Sequence, residues 1–438
     1  MSDLISRRAL LMTGLPLAAA VRDTDVTDFG AVGDGATSNT KALQSAIDAC
    51  ARRGGGTVRM PAGRFLSGTL FLKSGVHLYL DAGAVLLGST RLDDYPVTPG
   101  GFRGYADIYT DKSLLYAENA ENIGIGGAGC IDGQGKSFQG PYKVRPYLMR
   151  FVSCREMAVS GVTLRNSPMW VQHYLNCQDV HIHGITVNSR VNSNNDGIDI
   201  DCCRRVRISD CDISSGDDAI VLKSTADVVC RDVVVSNCVL SSDCSAFKLG
   251  TESNGGFENI AFSNSTIYDT RLAAIALEMV DGGHLDGVSV NNIVMNRVGA
   301  PIFLRLGNRA RPFREGGRVP GVGTFRNVQI TNIQAVGAGN RGCAIAGIPG
   351  HPIEDVTIEN IRVEFEGGGS AEDAKRTVPE NPEKYPEYSM FGRLPAYGFY
   401  VRHARGIRFR NLRLTTVKPD GRPALVKDDV EDLPEQKD

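Results

Sequence analysis

"RVRISDC" (205–211), "DVVVSNC" (232–238) and "NIAFSNS" (259–265) are three versions of one phrase. Each is a short run rich in β-branched residues, followed by Asn or Asp and then a small residue. The phrase recurs at 161–167 ("GVTLRNS"), 184–189 ("GITVNS"), 287–293 ("GVSVNNI"), 327–333 ("NVQITNI"), 355–361 ("DVTIENI") and 406–412 ("GIRFRNL"). Its Asn or Asp falls at 166, 188, 210, 237, 264, 292, 332, 360 and 411, in steps of 22, 22, 27, 27, 28, 40, 28 and 51. A unit this short holds two or three strands and cannot bury an apolar face alone, so units must stack. Helical periodicity is almost absent from them. Two-residue hairpin signals are few, which disfavours a sandwich or barrel. The sequence therefore predicts an all-β chain, a right-handed parallel β-helix. The longer steps leave room for insertions. Stacked Asn side chains are expected to satisfy turn backbone groups inside the coil.

Working outward, "NTKALQSAIDACARRGG" (39–55) has apolar residues at 43, 46, 47 and 50, a helical spacing. Asn39 or Thr40 could cap it, and a helix there would cover the open end of the solenoid. The β-helix is expected over about 25–415, with the helix at about 40–53 as its cap. Residues 367–390 are polar and Pro-rich and read as a long loop between coils. Residues 416–438 read as a C-terminal tail, acidic and mobile from about 427. Residues 1–20 read as an export signal: Arg7-Arg8, a short apolar run, then Ala18-Ala19-Ala20. The arginine pair suggests the twin-arginine route and a periplasmic or extracellular destination. No segment is long enough to cross a membrane. The net charge of −2 gives no reason to expect a nucleic-acid partner.

Eleven cysteines would suggest disulfides in an exported chain. Their spacing argues otherwise. Cys203 to Cys230 and Cys211 to Cys238 are both 27 residues apart, the repeat step, as expected of stacked, buried free thiols.

Acidic groups concentrate on neighbouring coils. "NNDGIDID" (194–201) supplies Asp196, Asp199 and Asp201, and "SGDDAIVLKS" (214–223) supplies Asp217 and Asp218. Asp196 and Asp217 are 21 residues apart, close to the local step of 22. That spacing stacks them about 4.8 Å apart at the backbone. Three carboxylates on one face repel, so at least one pKa should rise. A protonated acid beside ionised carboxylates is the equipment of glycoside hydrolysis. A solvated Asp-rich turn is the plain alternative.

"NNDGID", "GDDAI" and the opening "VTDFGAVGDGATSNTKALQSAIDA" resemble glycoside hydrolase family 28, the polygalacturonase and rhamnogalacturonan hydrolase family, over most of 25–415. The resemblance implies an inverting hydrolase of a pectic glycan. It implies Asp217 as the general acid, with Asp196 and Asp218 activating the water. Inversion leads us to expect carboxyls about 6.5–9.5 Å apart. Three departures stand out. The family's Asn-Thr-Asp is Asn194-Asn195-Asp196 here. Its Gly-His-Gly coil corresponds to "CSAFKLGTES" (244–253), with Ser245 in the His position. Its Arg-Ile-Lys coil corresponds to "AAIALE" (273–278), which has no basic residue. Lys223, Lys248 and Arg271 are candidate substitutes for the missing cations.

Further candidates for glycan contact are Asn194, Trp170 (the single Trp), Glu252, Glu278 and Arg305, the last in the basic run "RLGNRARPFREGGR". His173 reads as structural. No metal-ligand spacing or cofactor motif stands out. Two rival readings use the same scaffold: a polysaccharide lyase, and a non-catalytic carbohydrate-binding β-helix.

Overall fold

A computed structural model describes residues 23–431. The segment read as an export signal and the last seven residues lie outside it. Among the described residues no helix is long and apolar enough to cross a membrane.

The chain winds into a right-handed parallel β-helix with three parallel sheets. The first begins with Gly56–Met60, Val76–Leu80 and Glu121–Gly127. The second begins with Asp34–Ser38, Gly63–Ser67 and Ala84–Gly88. The third runs from Leu70–Phe71 through Ile198–Asp201, Ile220–Ser224 and Phe247–Ser253. Alternate residues of every strand point inward, and coil stacking joins them into one continuous core. Phe247 and Phe262 stack within it at 4.4 Å between ring centroids. The helix Thr40–Arg52 buries Leu43, Ala46, Ile47 and Cys50 against the open end. Asn39 precedes it but makes no side-chain cap; its amide instead pins the preceding turn through Val32 and Thr37.

The cysteines are all free, and the two pairs with a 27-residue step stack without bonding. Arg204 pairs with Arg231 and Asp212 with Val239, which places Cys203 beside Cys230 and Cys211 beside Cys238 on successive coils.

Two expectations need correction. The recurring Asn residues lie on the outside of a corner. Asn237, Asn264, Asn292, Asn332, Asn360 and Asn411 take left-handed φ between 48° and 59°. That turns their amides outward, where they bond one another, as from Asn292 to Asn264 at 2.9 Å and from Asn411 to Asn360 at 2.7 Å. The second correction concerns the end of the solenoid. Leu425–Glu431 is a strand of the third sheet, paired with Phe399–Arg405, so the region read as a tail contains another coil. Its alternation is weak because its partner side is the solenoid end, where few side chains are buried.

Four segments leave the coil and fold over the outer face of the third sheet: 89–112, 135–146, 307–323 and 368–398. They turn a face that would otherwise be solvated into a covered one, and the site lies beneath them.

Candidate active site

The peptide ladder runs straight through the site. Val171 N–H donates to Asp196 O, Gly197 N–H to Asp218 O, and Ala219 N–H to Ser245 O, each at 2.8–2.9 Å. Asp196, Asp218 and Ser245 therefore stack in one file, with Ile198 and Ile220 in register just beyond. The expected stacking of Asp196 on Asp217 is off by one: Asp218 holds the in-register place. Asp217 occupies a bend before the strand, with its carbonyl held by the Ser215 and Ser242 hydroxyls at 2.6 Å each. Gly216 suits the bend, where a Cβ would sit tightly, 3.1 Å from Asn192 O.

The loop below is locked by Asn195. Its Oδ1 accepts from the Val191 and Asn192 N–H groups at 3.0 Å, and its Nδ2 donates to Ser167 O and Met169 O. This leaves Asn194 at φ 56° with its amide 3.4 Å from Asp217 Oδ2.

One oxygen from each of Asp196, Asp217 and Asp218 lies within 4.8 Å of the others. That is closer than the separation expected from inversion. It is a spacing at which a cation could be shared, but two ammonium groups already supply positive charge there. Lys248 Nζ is 3.1 Å from Asp218 and 3.6 Å from Glu278. Lys223 Nζ is 3.9 Å from Asp196, 3.6 Å from Asp199 and 3.6 Å from Glu252, and 4.7 Å above the Trp170 ring. Asp218 Oδ1 also accepts from the Ser245 N–H at 3.0 Å. Among the described residues, no ammonium or guanidinium lies within 4 Å of Asp217.

Burial sets the electrostatics. It raises Asp196 well above the ordinary carboxylate range, helped by repulsion from Asp217 and Asp199. It raises Asp217 too, with Asp218 adding to the effect. Burial pushes Glu278 up to about 7 against the pull of Lys248. Burial also opposes ionisation of Glu252, but Lys223 and Arg309 outweigh it and hold that carboxyl at about 2.

These groups line a cavity of about 420 Å³ together with Asn194 and Trp170. Of the candidate glycan contacts, Asn194, Trp170, Lys223, Lys248, Glu252 and Glu278 all reach it; Arg271 and Arg305 do not. Arg271 is exposed beside it, bonded to Asp243 O. Arg305 is fully buried and donates to Gly347 O and Glu380 O, so it anchors the segment 368–398. His173 is buried against Asp201 at 3.1 Å and plays no part in the cavity. Residues not foreseen come chiefly from the covering segments: Tyr105 and Tyr109, Tyr142, and Tyr385, Glu387 and Tyr388. Irregular loops carry no period, so nothing in the spacing pointed to them. A larger hollow of about 670 Å³ lies at the corner of the third and first sheets, near Asn119, Ser153 and Asn176. It gathers no comparable set of carboxylates, so the smaller cavity is the candidate site.

The family model for glycosyl hydrolases family 28 matches residues 50–382. The chain belongs to glycosyl hydrolase family 28. A Vitis vinifera protein named as a probable polygalacturonase is 30% identical over 79% of this chain and 75% of its own. Two solved structures of lower identity share the fold. An exopolygalacturonase from Thermotoga maritima aligns at TM-score 0.70 and 21% identity, over 90% of this chain and 92% of its own. A family 28 exopolygalacturonase from Yersinia enterocolitica aligns at 0.74 and 21%, over 94% and 78%. Family 28 membership makes this chain a glycoside hydrolase and disfavours the lyase and binding-only readings.

Proposed function

We propose that the chain is an inverting, exo-acting hydrolase of a pectic glycan. The observation that carries the assignment of roles is the distribution of cations. Asp196 and Asp218 are each backed by a lysine, at 3.9 and 3.1 Å, while Asp217 has none. Burial raises both Asp196 and Asp217, so the cluster holds a proton; a cation favours the ionised form, and we assign that proton to Asp217, the member with no lysine within 4 Å. Asp217 is also the member that keeps partial exposure to the cavity. It protonates the leaving glycosidic oxygen. Asp218 has both oxygens engaged, by Lys248 and the Ser245 N–H, which makes it a poor nucleophile and favours inversion. Asp196 Oδ1 accepts no hydrogen bond from the described residues, which leaves it to receive a proton from the attacking water. Water held by Asp196 and Asp218 on one side needs no wide gap between the carboxyls, which reconciles the short spacing with inversion.

Exo action is supported by the four covering segments, whose side chains wall the cavity and suit a chain end. The pectic substrate is supported by the name of the Vitis vinifera relative. Export as a folded protein is supported by Arg7-Arg8, and replacing that pair by lysines should hold the protein in the cytoplasm. The main test is incubation with polygalacturonate and other pectic polysaccharides, with products followed by proton NMR. Sugar first released with inverted configuration, and no ladder of intermediate oligomers, is expected. Retained configuration would overturn inversion, a ladder would overturn exo action, and no cleavage of any pectic glycan would overturn the assignment.

A further inference from the structure

The cavity carries more carboxylates than cations. Lys223, Lys248 and Arg311 line it against Asp196, Asp217, Asp218, Glu252, Glu278 and Glu387. None of its cations is uncommitted. Glu252 draws in Lys223 at 3.6 Å, Arg309 at 3.5 Å and Arg311 at 4.0 Å. Lys248 is clasped by Asp218 and Glu278, with the Tyr385 hydroxyl at 3.3 Å. Arg311 lies over the Tyr105 ring at 4.2 Å. The coil 273–278 presents Ala276 beside Lys248 and ends in an acid, Glu278.

A uronate entering this space would bring a further negative charge among buried carboxylates. It could find a counter-ion only by taking one from Glu252, Asp218 or Glu278, and a buried charge left without its partner is costly. A neutral ring meets no such penalty. The walls suit one. Tyr105, Tyr109, Tyr142, Trp170, Tyr385 and Tyr388 line the cavity with aromatic surface suited to sugar C–H groups, and the carboxylates are acceptors for hydroxyl groups.

We infer that the sugar ring held in this cavity is neutral, a hexose or deoxyhexose and not a uronate. The inference rests on the hydrolase reading above and narrows it. Matched oligosaccharides test it. One pair is an oligogalacturonate and the same oligomer after carboxyl reduction, which converts each galacturonate to galactose without changing the linkage. The other is an alternating rhamnose–galacturonate oligomer ending, at its non-reducing end, in one sugar or the other. Released sugars are identified by mass.

The neutral-ended member of a pair should be cleaved with kcat/KM higher by roughly tenfold or more, the size expected when a buried charge loses its partner. Preferred release of galacturonate would overturn the inference and leave the hydrolase reading standing. No release from any of the four, or from any pectic polysaccharide, would remove the hydrolase reading and this inference with it. Glu252→Gln removes the carboxylate shared by Lys223, Arg309 and Arg311. Lys223 keeps Asp196 and Asp199 and Arg309 keeps Asp281, so Arg311 is the cation released. In the folded variant the ratio should shift towards the uronate-ended substrate; an unmoved ratio would speak against the inference.

Discussion

The outer faces of the first and third sheets are built on the same coils and carry the same kind of cross-coil ion pair, yet they behave as different materials. On the first sheet, Arg59 meets Asp81 at 2.9 Å, Arg205 meets Asp179 at 2.6 Å and Arg326 meets Asp286 at 2.8 Å, with the arginine side chains 47–58% exposed. On the third, Lys223 and Lys248 and their carboxylate partners are all 7% exposed or less. The ladder does not make this difference; the cover does. Four inserted segments exclude water from the third face, and charge interactions that are screened on the first become strong there. The general acid proposed above needs a carboxyl that holds a proton near neutral pH, and among the described residues the carboxyls whose pKa is raised lie on the covered face.

The largest effect should come from the acid. Asp217→Asn should leave the fold and its circular dichroism unchanged and lower kcat by roughly 10²–10⁴-fold, the usual worth of general acid catalysis. Substrates with a good leaving group, which need less protonation, should recover part of the loss. Asp196→Asn and Asp218→Asn should not recover that way, because the water remains unactivated. If all three variants turned over a confirmed substrate at near-normal rates, the covered face would be structural only.

Next comes the buried pair. Lys248→Met removes the cation beside Asp218 and leaves the carboxylate covered. Breaking a buried pair from one side costs about 3–5 kcal/mol. The double substitution Lys248→Met with Asp218→Asn should be more stable than Lys248→Met alone. Urea unfolding of the four proteins gives the coupling, and a coupling near zero would mean that the third face is as well screened as the first.

Glu278 offers a titration of the same contrast. Its folded pKa of about 7 lies above the 4.5 of an unperturbed Glu. The folded chain keeps this proton where the unfolded chain has lost it, so the group's stabilising contribution is full below pH 4.5 and is lost as pH rises through about 7. At about 1.36 kcal/mol per unit the change is roughly 3 kcal/mol. Glu278→Gln should flatten the fall in melting temperature between those pH values. An equal fall in both proteins would show that the carboxyl titrates normally.

The β-helix was legible because its signal is periodic: nine Asn or Asp positions recur, mostly in steps of 22 to 28, and two cysteine pairs share the 27-residue step. The carboxylates were legible because they sit on that repeat, although the in-register partner of Asp196 is Asp218 and not Asp217, because the local 22-residue step runs from 196 to 218. What covers the site was not legible. Tyr105, Tyr142 and Tyr385 lie in segments without a period, and their convergence depends on how each insertion folds back. Arg305 was misplaced for a related reason. An arginine in a basic run reads as a surface group, but this one sits in a strand, and the carbonyls of the segment above it take up its donors. The strand Leu425–Glu431 escaped notice because, among the described residues, no further coil packs on it and its side chains stay open.

The smallest expected effect is on the uncovered face, and it completes the contrast. Arg205 and Asp179 form a bidentate pair at 2.6 and 2.7 Å across one coil step, geometrically better than any ion pair of Lys223 or Lys248. If geometry decided the worth of a pair, Arg205→Ala would cost more than Lys248→Met. Both partners are open to water, however, so solvent and salt screen their attraction, and ordering two side chains opposes it. Exposed pairs contribute about 0.2–1 kcal/mol. Arg205→Ala should therefore shift urea unfolding by no more than that, the shift should shrink as salt is raised, and activity should be unchanged. A loss comparable with that of Lys248→Met, insensitive to salt, would show that distance and not cover governs these pairs, and the division of the solenoid into a screened and a sheltered face would fail.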